Sequence, residues 1–395
     1  MKISTMRLID RFVGMPLCWI AGIFRRFPES QSPSIRSVLV IKFFGLGSVL
    51  LTSPALQALK HKFPDSKVIF LSFSRNKEIL EEIPFIEERW IIDSDSMTSF
   101  VKSFLIVLRR LLFRRIDVVV DFEFFSKFST LVGALARPRM QIGFALPTRW
   151  RRWNLSHSVV LAGDRHVTES FLAMLAPLGL KERALSLPRI SSSRTADGTL
   201  ELPVQVRLWR ADVICINPNA GETSLDRRWE ASRYRDVLEI LLEDYRDVLF
   251  CLIGSAHERG YVQHILEQVR IGNERVVNLA GRTSIQGLIE LFCRSRMLIT
   301  NDSGPMHLAA AAGLPTVALF GPESPTFYGP LGNQSINLYV KLGCSPCLNL
   351  YDAKTFRCPI DAKCMKDIPV DWVVKATAML MESVKVPVLV ESTSV

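Results

Sequence analysis

With 395 residues, the chain is longer than one hydrophobic core usually supports, so two domains are expected, and 48% apolar residues can fill both. The net charge of +10 favours an acidic partner. The basic residues cluster beside apolar and aromatic ones, and no nucleic-acid-binding module is recognisable, so a membrane surface is favoured over nucleic acid.

The first predicted element is an apolar helix near the N-terminus. Phe12–Phe24 is a run of thirteen mostly apolar residues, which is too short to span a bilayer. No cleavage site of the A-x-A kind follows it, so a signal peptide is not expected. Trp19 and the flanking arginines indicate that residues 1–30 form an amphipathic membrane-associating segment. The alternative is a helix that packs on the protein's own core.

Two further stretches combine basic with apolar or aromatic residues. Phe100–Ile116 has apolar residues at helical spacing together with four arginines, and Trp150–Trp153 places two arginines between two tryptophans. Each stretch alone is typical of a solvated face over a buried one. Together with the N-terminal run, they favour a membrane-facing N-terminal half.

Strands and helices alternate from about residue 35 to residue 190, which predicts an α/β domain with a buried parallel sheet. Residues 185–205 are rich in Ser and Pro and predict a linker. The alternation restarts and continues over residues 205–380. The predicted strands are Val38–Lys42, Val68–Phe73, Asp117–Val120, Val213–Asn217, Val248–Ile253, Val276–Asn278, Met297–Thr300 and Thr316–Phe320.

The richest motif is TNDSGPMHLAAAAGLPTVALFGPESPTFYGP at residues 300–330. It predicts a strand, a tight polar turn, a helix and another strand, with Ser303 and Pro305 suited to the helix start. Because a helix N-terminus presents free N–H groups at the carboxyl end of a strand, the turn suits a diphosphate. The alternative is an ordinary capped βαβ corner. His307 in the first helical turn favours the ligand-binding interpretation.

The same segment resembles the C-terminal signature of the heptosyltransferase-like family of inverting glycosyltransferases, glycosyltransferase family 9. Ser37–Leu59, SVLVIKFFGLGSVLLTSPALQAL, is similar to that family's first strand, glycine loop and first helix. The resemblance covers about residues 35–375. It implies a GT-B type fold, in which two Rossmann-like domains face each other across a cleft, with the acceptor on the N-terminal domain and the donor on the C-terminal one.

The resemblance also implies which residues bind the nucleotide-diphosphate donor. Position by position, four residues of the 300–330 motif match the family's diphosphate and sugar contacts. Arg227 matches a phosphate contact, Arg228 completes a basic pair that a solvated loop would equally explain, and Glu258 lies near a carboxylate that binds donor hydroxyls or simply starts a helix. Asn219 lies in a turn after a strand, at the ligand-binding edge of the sheet. The four motif residues are Asp302, Ser303, Gly304 and His307.

The catalytic base is where the sequence departs from the family. After Gly45 and Gly47 the family normally has an aspartate as general base, whereas this chain has Ser48. A serine needs help to accept a proton near pH 7, so we expect another carboxylate to replace it. Glu123, which follows a strand in the same half, is the substitute candidate, with a structural carboxylate as the alternative. His166, which opens a helix that the resemblance places at the cleft, is a weaker candidate, because a structural histidine at a capped helix start is expected there rather than a base.

Four cysteines in a C-x2-C-x10-C-x5-C pattern form the last motif. Thiolate ligation of a structural zinc, two disulfides or free thiols all fit this spacing, and only the first pair has a typical metal-ligand spacing. A cytoplasmic location would keep disulfides reduced. The four residues are Cys344, Cys347, Cys358 and Cys364.

The resemblance implies a transferase without a catalytic metal, in which helix N-termini and arginines stabilise the leaving diphosphate. The expected donor is ADP-heptose, and the expected acceptor is a lipid-linked or core oligosaccharide at the cytoplasmic face of a bacterial inner membrane. Ser48 motivates a second hypothesis, a catalytically silent nucleotide-sugar-binding protein. A nicotinamide-dependent oxidoreductase is disfavoured, because no strand is followed by a full G-x-G-x-x-G with an acidic residue about 20 positions later.

Overall fold

A computed structural model describes most of the chain. The described residues are 10–24, 35–145, 149–181, 186–191, 206, 209–221, 224–271, 273–332, 334–348 and 358–383. They form two compact units: the main segment of the first ends at Pro188, and that of the second begins at Arg189.

Each unit contains a parallel sheet of six strands. The first sheet has the order β3-β2-β1-β4-β5-β6, and the second has the equivalent order β12-β11-β10-β7-β8-β9. The sheets confirm the predicted α/β fold with two Rossmann-like domains. The strands are β1 Ser37–Ile41, β2 Lys67–Phe73, β3 Glu88–Ile92, β4 Val118–Asp121, β5 Met140–Ala145, β6 His157–Val160, β7 Val213–Asn217, β8 Leu249–Leu252, β9 Val276–Asn278, β10 Met297–Asn301, β11 Thr316–Phe320 and β12 Ser335–Tyr339.

Helices connect successive strands, as parallel pairing requires. They are α1 Met15–Phe24, α2 Leu46–Leu50, α3 Ser53–Lys62, α4 Lys77–Glu81, α5 Met97–Phe113, α6 Lys127–Leu135, α7 Arg149–Arg152, α8 Val167–Ala173, α9 Ala231–Asp244, α10 Arg259–Glu267, α11 Ile285–Arg294, α12 Gly304–Ala312, α13 Pro325–Tyr328, α14 Lys363–Lys366 and α15 Val370–Ser383. None of the described helices is long and apolar enough to cross a membrane.

The central strands are buried on both faces, which explains their continuous apolar sequences. β1, β4, β7 and β10 are the innermost strands, and Val38 and Ile299 are fully buried in them. The register pairs Ile41 with Asp121 in the first sheet and Thr300 with Asn217 in the second. These pairs bring the polar residues that follow each strand to one edge of their own sheet.

The sequence prediction omits four strands, and burial explains the omissions. β3, β6 and β12 lie at sheet edges, where fewer side chains are covered and the apolar pattern is weak. β5 lies inside the first sheet but contains Gln141, a fully buried amide that donates from Nε2 to the carbonyl of Thr130 at 2.9 Å.

The N-terminal helix α1 packs on the first unit through one face. Cys18 is fully buried, and the Asn154 side chain donates a hydrogen bond to its carbonyl at 2.8 Å. This is the alternative in which the helix packs on the protein's own core. Residues 1–9 and 25–30 of the predicted N-terminal segment, and residues 185 and 192–205 of the predicted linker, lie outside the described residues.

Candidate functional site

The turn after β1 depends on a left-handed glycine. Gly45 has φ +86°, a conformation that side-chain-bearing residues rarely adopt, and it precedes the short helix α2. A Cβ at Gly45 would lie 3.1 Å from Oγ of Ser48. Ser48 is therefore held against the glycine turn, at the position where the resemblance leads us to expect an aspartate.

Glu123 lies at this same turn. It is 4% exposed, and its Oε1 accepts hydrogen bonds from Lys42 Nζ at 3.1 Å, Phe43 N at 2.6 Å and Phe44 N at 3.0 Å. The end of β4 thus meets the turn after β1, since Ile41 pairs with Asp121 in the sheet. Three donors occupy Oε1, so this oxygen holds the backbone between β1 and Gly45. A role as general base requires Glu123 to accept the proton on Oε2.

A buried ion pair, which the sequence analysis did not predict, supports the loop that contains Glu123. Arg151 Nη2 donates to Asp121 Oδ2 at 2.6 Å, Nη1 to the carbonyl of Phe124 at 2.7 Å, and Nε to Thr130 Oγ1 at 2.8 Å. Burial raises the pKa of Asp121, and Arg151 opposes that rise. Arg151 is 2% exposed, so its assignment to a surface basic patch is wrong.

His166 caps the start of α8. Its Nδ1 accepts a hydrogen bond from Thr168 N at 3.2 Å, while Glu169 Oε1 accepts one from His166 N at 3.3 Å. These two bonds form a capping box, and the structural alternative accounts for His166.

Asparagines join the strand ends of the second sheet. Asn217, the last residue of β7, donates from Nδ2 to Thr300 Oγ1 at 3.0 Å and to Ser303 Oγ at 2.7 Å. Asn301 Nδ2 donates to the carbonyls of Pro218 at 3.0 Å and Asn219 at 3.3 Å. The network brings the predicted Asn219 and Ser303 to one edge, and the sequence analysis missed Asn217 and Asn301 because they belong to apolar strands.

Arg227 and Asp302 form a buried pair. Arg227 Nη1 lies 3.0 Å from Asp302 Oδ2, and its Nη2 donates to the carbonyl of Ala220 at 2.7 Å. Their side chains are 9% and 6% exposed, respectively. The guanidinium thus fastens the loop after β7 to the turn after β10, and a donor phosphate would share it with Asp302.

Arg228 has different surroundings. Its guanidinium lies 4.0 Å from the ring centroid of Tyr261, and the side chain is half-buried. Among the described residues, no carboxylate pairs with Arg228. It is therefore the member of the predicted basic pair whose charge the described residues leave uncompensated.

The start of α12 suits an anion. Ser303 is the N-cap residue, but its side chain makes no capping hydrogen bond to the helix, and the first turn contains no acidic residue. Gly304 begins the helix, and His307 follows in the first turn, 4% exposed. The unsatisfied N–H groups of a helix N-terminus, together with its dipole, favour a phosphate.

Glu258 is partly occupied by a local cap. Its Oε2 accepts hydrogen bonds from Ser255 N and Ser255 Oγ, both at 2.8 Å. Gly254 precedes this cap, and a Cβ there would lie 2.6 Å from Asn219 Nδ2, so this turn is adjacent to the asparagine network. Binding of donor hydroxyls by Glu258 stays a prediction.

None of the four clustered cysteines forms a disulfide in the structure. Burial raises the pKa of Cys347, and the neighbouring Cys358 and Cys344 add to that rise. Burial raises the pKa of Cys364 to about 11, with Cys347 contributing. Among the described residues, no group of three or more His, Cys, Asp or Glu side chains is placed to hold a metal ion. Residues 349–357 between them lie outside the described part of the chain, and zinc binding stays a prediction.

Sequence comparison finds one family model. The glycosyltransferase family 9 (heptosyltransferase) model matches residues 106–355, which is more than half of the chain. A lipooligosaccharide heptosyltransferase 2 of Campylobacter jejuni is 27% identical over 86% of this chain and 96% of its own length. A lipopolysaccharide heptosyltransferase 3 of Escherichia coli is 26% identical over 74% of this chain and 86% of its own length.

Structure comparison agrees on the fold. A glycosyl transferase family 9 structure from Veillonella parvula has a TM-score of 0.71 at 21% identity and covers 90% of this chain and 100% of its own. The structure of an E. coli ADP-heptose lipopolysaccharide heptosyltransferase II has a TM-score of 0.67 at 20% identity and covers 88% and 99%. At these identities the likeness shows the fold alone.

Proposed function

Because the chain belongs to glycosyltransferase family 9, the heptosyltransferase family, we propose that it transfers a heptose from ADP-heptose to a lipopolysaccharide-core or other lipid-linked oligosaccharide. The observation that carries the proposal is the family match over residues 106–355, which includes the anion-suited turn from Thr300 to His307. The relatives from C. jejuni and E. coli are named as heptosyltransferases, and the similar E. coli structure is named as an ADP-heptose lipopolysaccharide heptosyltransferase. A catalytically silent protein is not supported by these relatives.

The donor diphosphate would lie at the carboxyl edge of the second sheet. The start of α12 supplies N–H groups and a positive dipole end, and Arg228 supplies a charge that no described carboxylate compensates. Arg227 would hold the loop and share its charge between Asp302 and the phosphate. These groups would stabilise the leaving diphosphate as its negative charge grows, which is the task a metal performs in other transferases.

The acceptor hydroxyl must lose a proton as the new bond forms. Ser48 occupies the position of the expected aspartate, and Glu123 is the nearby carboxylate bound to the same turn. We propose that Glu123 accepts the proton on Oε2 while its Oε1 keeps the backbone of the glycine turn in place. Lys42 and the two amides would then stabilise the carboxylate between turnovers.

We further propose that the protein works at the cytoplasmic face of the bacterial inner membrane, where a lipid-linked acceptor would be available. The net charge of +10 and the absence of acidic residues from helices α1, α5 and α6 support attraction to an anionic surface.

Transfer of radiolabelled heptose from ADP-heptose to a delipidated core oligosaccharide tests the function. We expect transfer with inversion at the anomeric carbon and competition by ADP. UDP-sugar and GDP-sugar donors serve as controls and should be poor substrates. Equal transfer from UDP-glucose, or no transfer from ADP-heptose to any core acceptor, would overturn the proposed donor.

A further inference from the structure

Helix α5 is apolar on its inner and outer faces. Its inner face packs into the core of the first sheet through Val107 and Leu111, with Phe100 and Phe104 partly buried beside them. Its outer face should be polar if water alone covered it. Instead, about half or more of each of six apolar side chains is exposed there: Met97, Val101, Leu105, Ile106, Leu112 and Phe113.

Helix α1 adds to the same surface. Both helices pack beside α6, and Phe128 of α6 contacts a residue from each direction. Its N–H donates to Oδ1 of Asp10, which precedes α1, at 2.7 Å, and its ring centroid lies 5.6 Å from that of Phe104 on α5. The inner side of α1 is buried at Cys18. Its outer side exposes Leu17, Trp19 and Ile20, and Phe12 is exposed in the helical turn Asp10–Gly14 that precedes it.

The outer sides of α1 and α5 together form the outer helical surface. The charged side chains that these two helices contribute are all basic. The sequences of α1, α5 and α6 contain no Asp or Glu. On α5, Lys102, Arg109 and Arg110 are exposed, and no carboxylate among the described residues pairs with them. The surface therefore combines exposed apolar side chains with uncompensated positive charge.

We propose that the outer helical surface docks the enzyme on an anionic lipid bilayer. The apolar side chains of α1 and α5 would enter the interfacial layer, and Lys102, Arg109 and Arg110 would lie at the lipid phosphates. Trp19 on this surface is typical of the membrane interface, where Trp is enriched. An anionic bilayer fits this surface because its lipid phosphates complement three exposed basic side chains on helices whose sequences contain no acidic residue. The inference deepens the proposed work on a lipid-linked acceptor, but its test needs neither donor nor acceptor.

Vesicle co-sedimentation with two matched triple variants tests the surface. One variant removes charge (Lys102→Gln, Arg109→Gln and Arg110→Gln), and the other removes apolar groups (Leu105→Ser, Ile106→Ser and Phe113→Ser). The control, Trp372→Ser with Met379→Ser, changes exposed apolar residues on α15 of the second unit. We use vesicles of phosphatidylglycerol with phosphatidylcholine, and vesicles of phosphatidylcholine alone.

We expect the full chain to bind the anionic vesicles, and each triple variant to lose about tenfold or more in partition coefficient. The control should bind as the full chain does. High salt should weaken vesicle binding by the full chain more than vesicle binding by the charge variant, because part of the attraction is coulombic. Circular dichroism should show all variants folded, since the replaced side chains are exposed.

Three results would overturn the inference: no binding of the full chain to anionic vesicles, binding by both triple variants as strong as that of the full chain, or a dimer in light scattering that only the apolar variant dissociates. The last result would assign the surface to a second copy of the chain. Heptose transfer to the delipidated acceptor should be unchanged in both triple variants. If the full chain binds anionic vesicles but transfers no heptose, the result would count against the proposed function and not against the outer helical surface.

Discussion

The two adjacent arginines show how much the surroundings of a single residue decide. Arg227 is enclosed by Asp302 and two backbone carbonyls, whereas Arg228 rests on Tyr261 without a described carboxylate partner. The resemblance places both at the donor. Only the contacts distinguish a residue that holds the loop from one whose charge is available to a ligand.

Replacing these arginines should therefore give two different results. Arg228→Ala should weaken ADP binding by about 1–3 kcal/mol and leave stability unchanged, because it removes a charge-assisted contact from a half-exposed group. Arg227→Ala should weaken ADP binding and also lower the free energy of unfolding by about 3–5 kcal/mol, because Asp302 is left buried without its partner. Calorimetric titration with ADP and urea unfolding measure the two effects.

The matched control for this pair is Arg270→Ala, an exposed arginine after α10. It should change neither quantity. Unchanged ADP affinity in both Arg227→Ala and Arg228→Ala would remove the donor assignment.

Glu123 combines two roles in our proposal. It accepts a proton as the general base, and it supports the glycine turn after β1 through its hydrogen bonds. Glu123→Gln keeps an acceptor oxygen for the amides of Phe43 and Phe44 but removes the basicity. If Glu123 is the base, kcat should fall by about 10²–10⁴-fold with little change in donor affinity. The acidic limb of the pH–kcat profile should disappear as well, which a purely structural role would not cause.

Ser48→Asp provides the complementary test. It should partly restore turnover in the Glu123→Gln variant, because it returns a carboxylate to the glycine turn. Full turnover in Glu123→Gln would contradict the base assignment and leave Glu123 as a support of the β1 turn.

Among the elements, α6 shows how a distant segment can complete a helix. Its own N-cap, Ser126, accepts a hydrogen bond from Ser129 N at 3.1 Å, while Asp10 accepts bonds from Lys127 N at 3.1 Å and Phe128 N at 2.7 Å. A carboxylate at a helix start satisfies free amides and interacts favourably with the dipole. Asp10 thereby ties the segment before α1 to the sheet of the first unit.

Asp10→Ala should lower the free energy of unfolding by about 1 kcal/mol, the usual cost of losing a capping side chain. Asp10→Asn keeps the acceptor oxygen and should recover most of the loss. Urea unfolding followed by circular dichroism measures both variants. Equal stability of Asp10→Ala and the unaltered chain would show that the N-terminal segment does not contribute to this helix.

The four clustered cysteines, Cys344, Cys347, Cys358 and Cys364, are the candidate ligands of a structural zinc. If the four thiols bind zinc, purified protein should contain about one zinc per chain. The double variant Cys344→Ser with Cys347→Ser should lose it, whereas Cys293→Ser, an exposed cysteine on α11, should retain it. Elemental analysis after dialysis gives the result. A zinc-free protein with four thiols titrating with a disulfide reagent would identify them as free thiols.

At the scale of the whole molecule, each unit has its own sheet and its own set of polar strand ends. All the contacts described among Asn217, Asn219, Arg227, Asp302 and Ser303 lie within the second unit. The contacts of Glu123 with Lys42, Phe43 and Phe44 lie within the first. The two predicted site groups are therefore assembled separately, each at one edge of one sheet.

Hydrogen exchange should report this division. ADP should slow exchange at the amides of residues 217–221 and 301–307, because the phosphates would accept hydrogen bonds from the second unit. Exchange at residues 43–48 should not change with ADP alone. Mass spectrometry of peptides from these segments, with adenosine as the phosphate-free control, measures both. Protection at residues 43–48 and none at 301–307 would place the nucleotide on the wrong sheet for our proposal.

Burial also shows where prediction from the sequence stops. The central strands were predicted almost to the residue, because burial on both faces requires continuous apolar residues. The edge strands β3, β6 and β12 were missed, because one side of an edge strand is uncovered and its sequence is mixed. β5 was missed for another reason: the buried Gln141, whose Nε2 donates to a carbonyl eleven residues away, interrupts its apolar pattern.

The sequence by itself determined the α/β class, the glycine turn at Gly45, the polar turn at Asp302–Gly304 and the membership of the family. All of these depend on local patterns of apolar residues and turn residues. The tertiary structure decided that Arg227 pairs with Asp302, that Arg151 is buried against Asp121, and that Oε1 of Glu123 is occupied. These partners lie 30–81 positions apart in the chain. They meet only because parallel strands bring their carboxyl ends to one edge, so which polar groups become partners depends on strand order and register rather than on neighbouring residues.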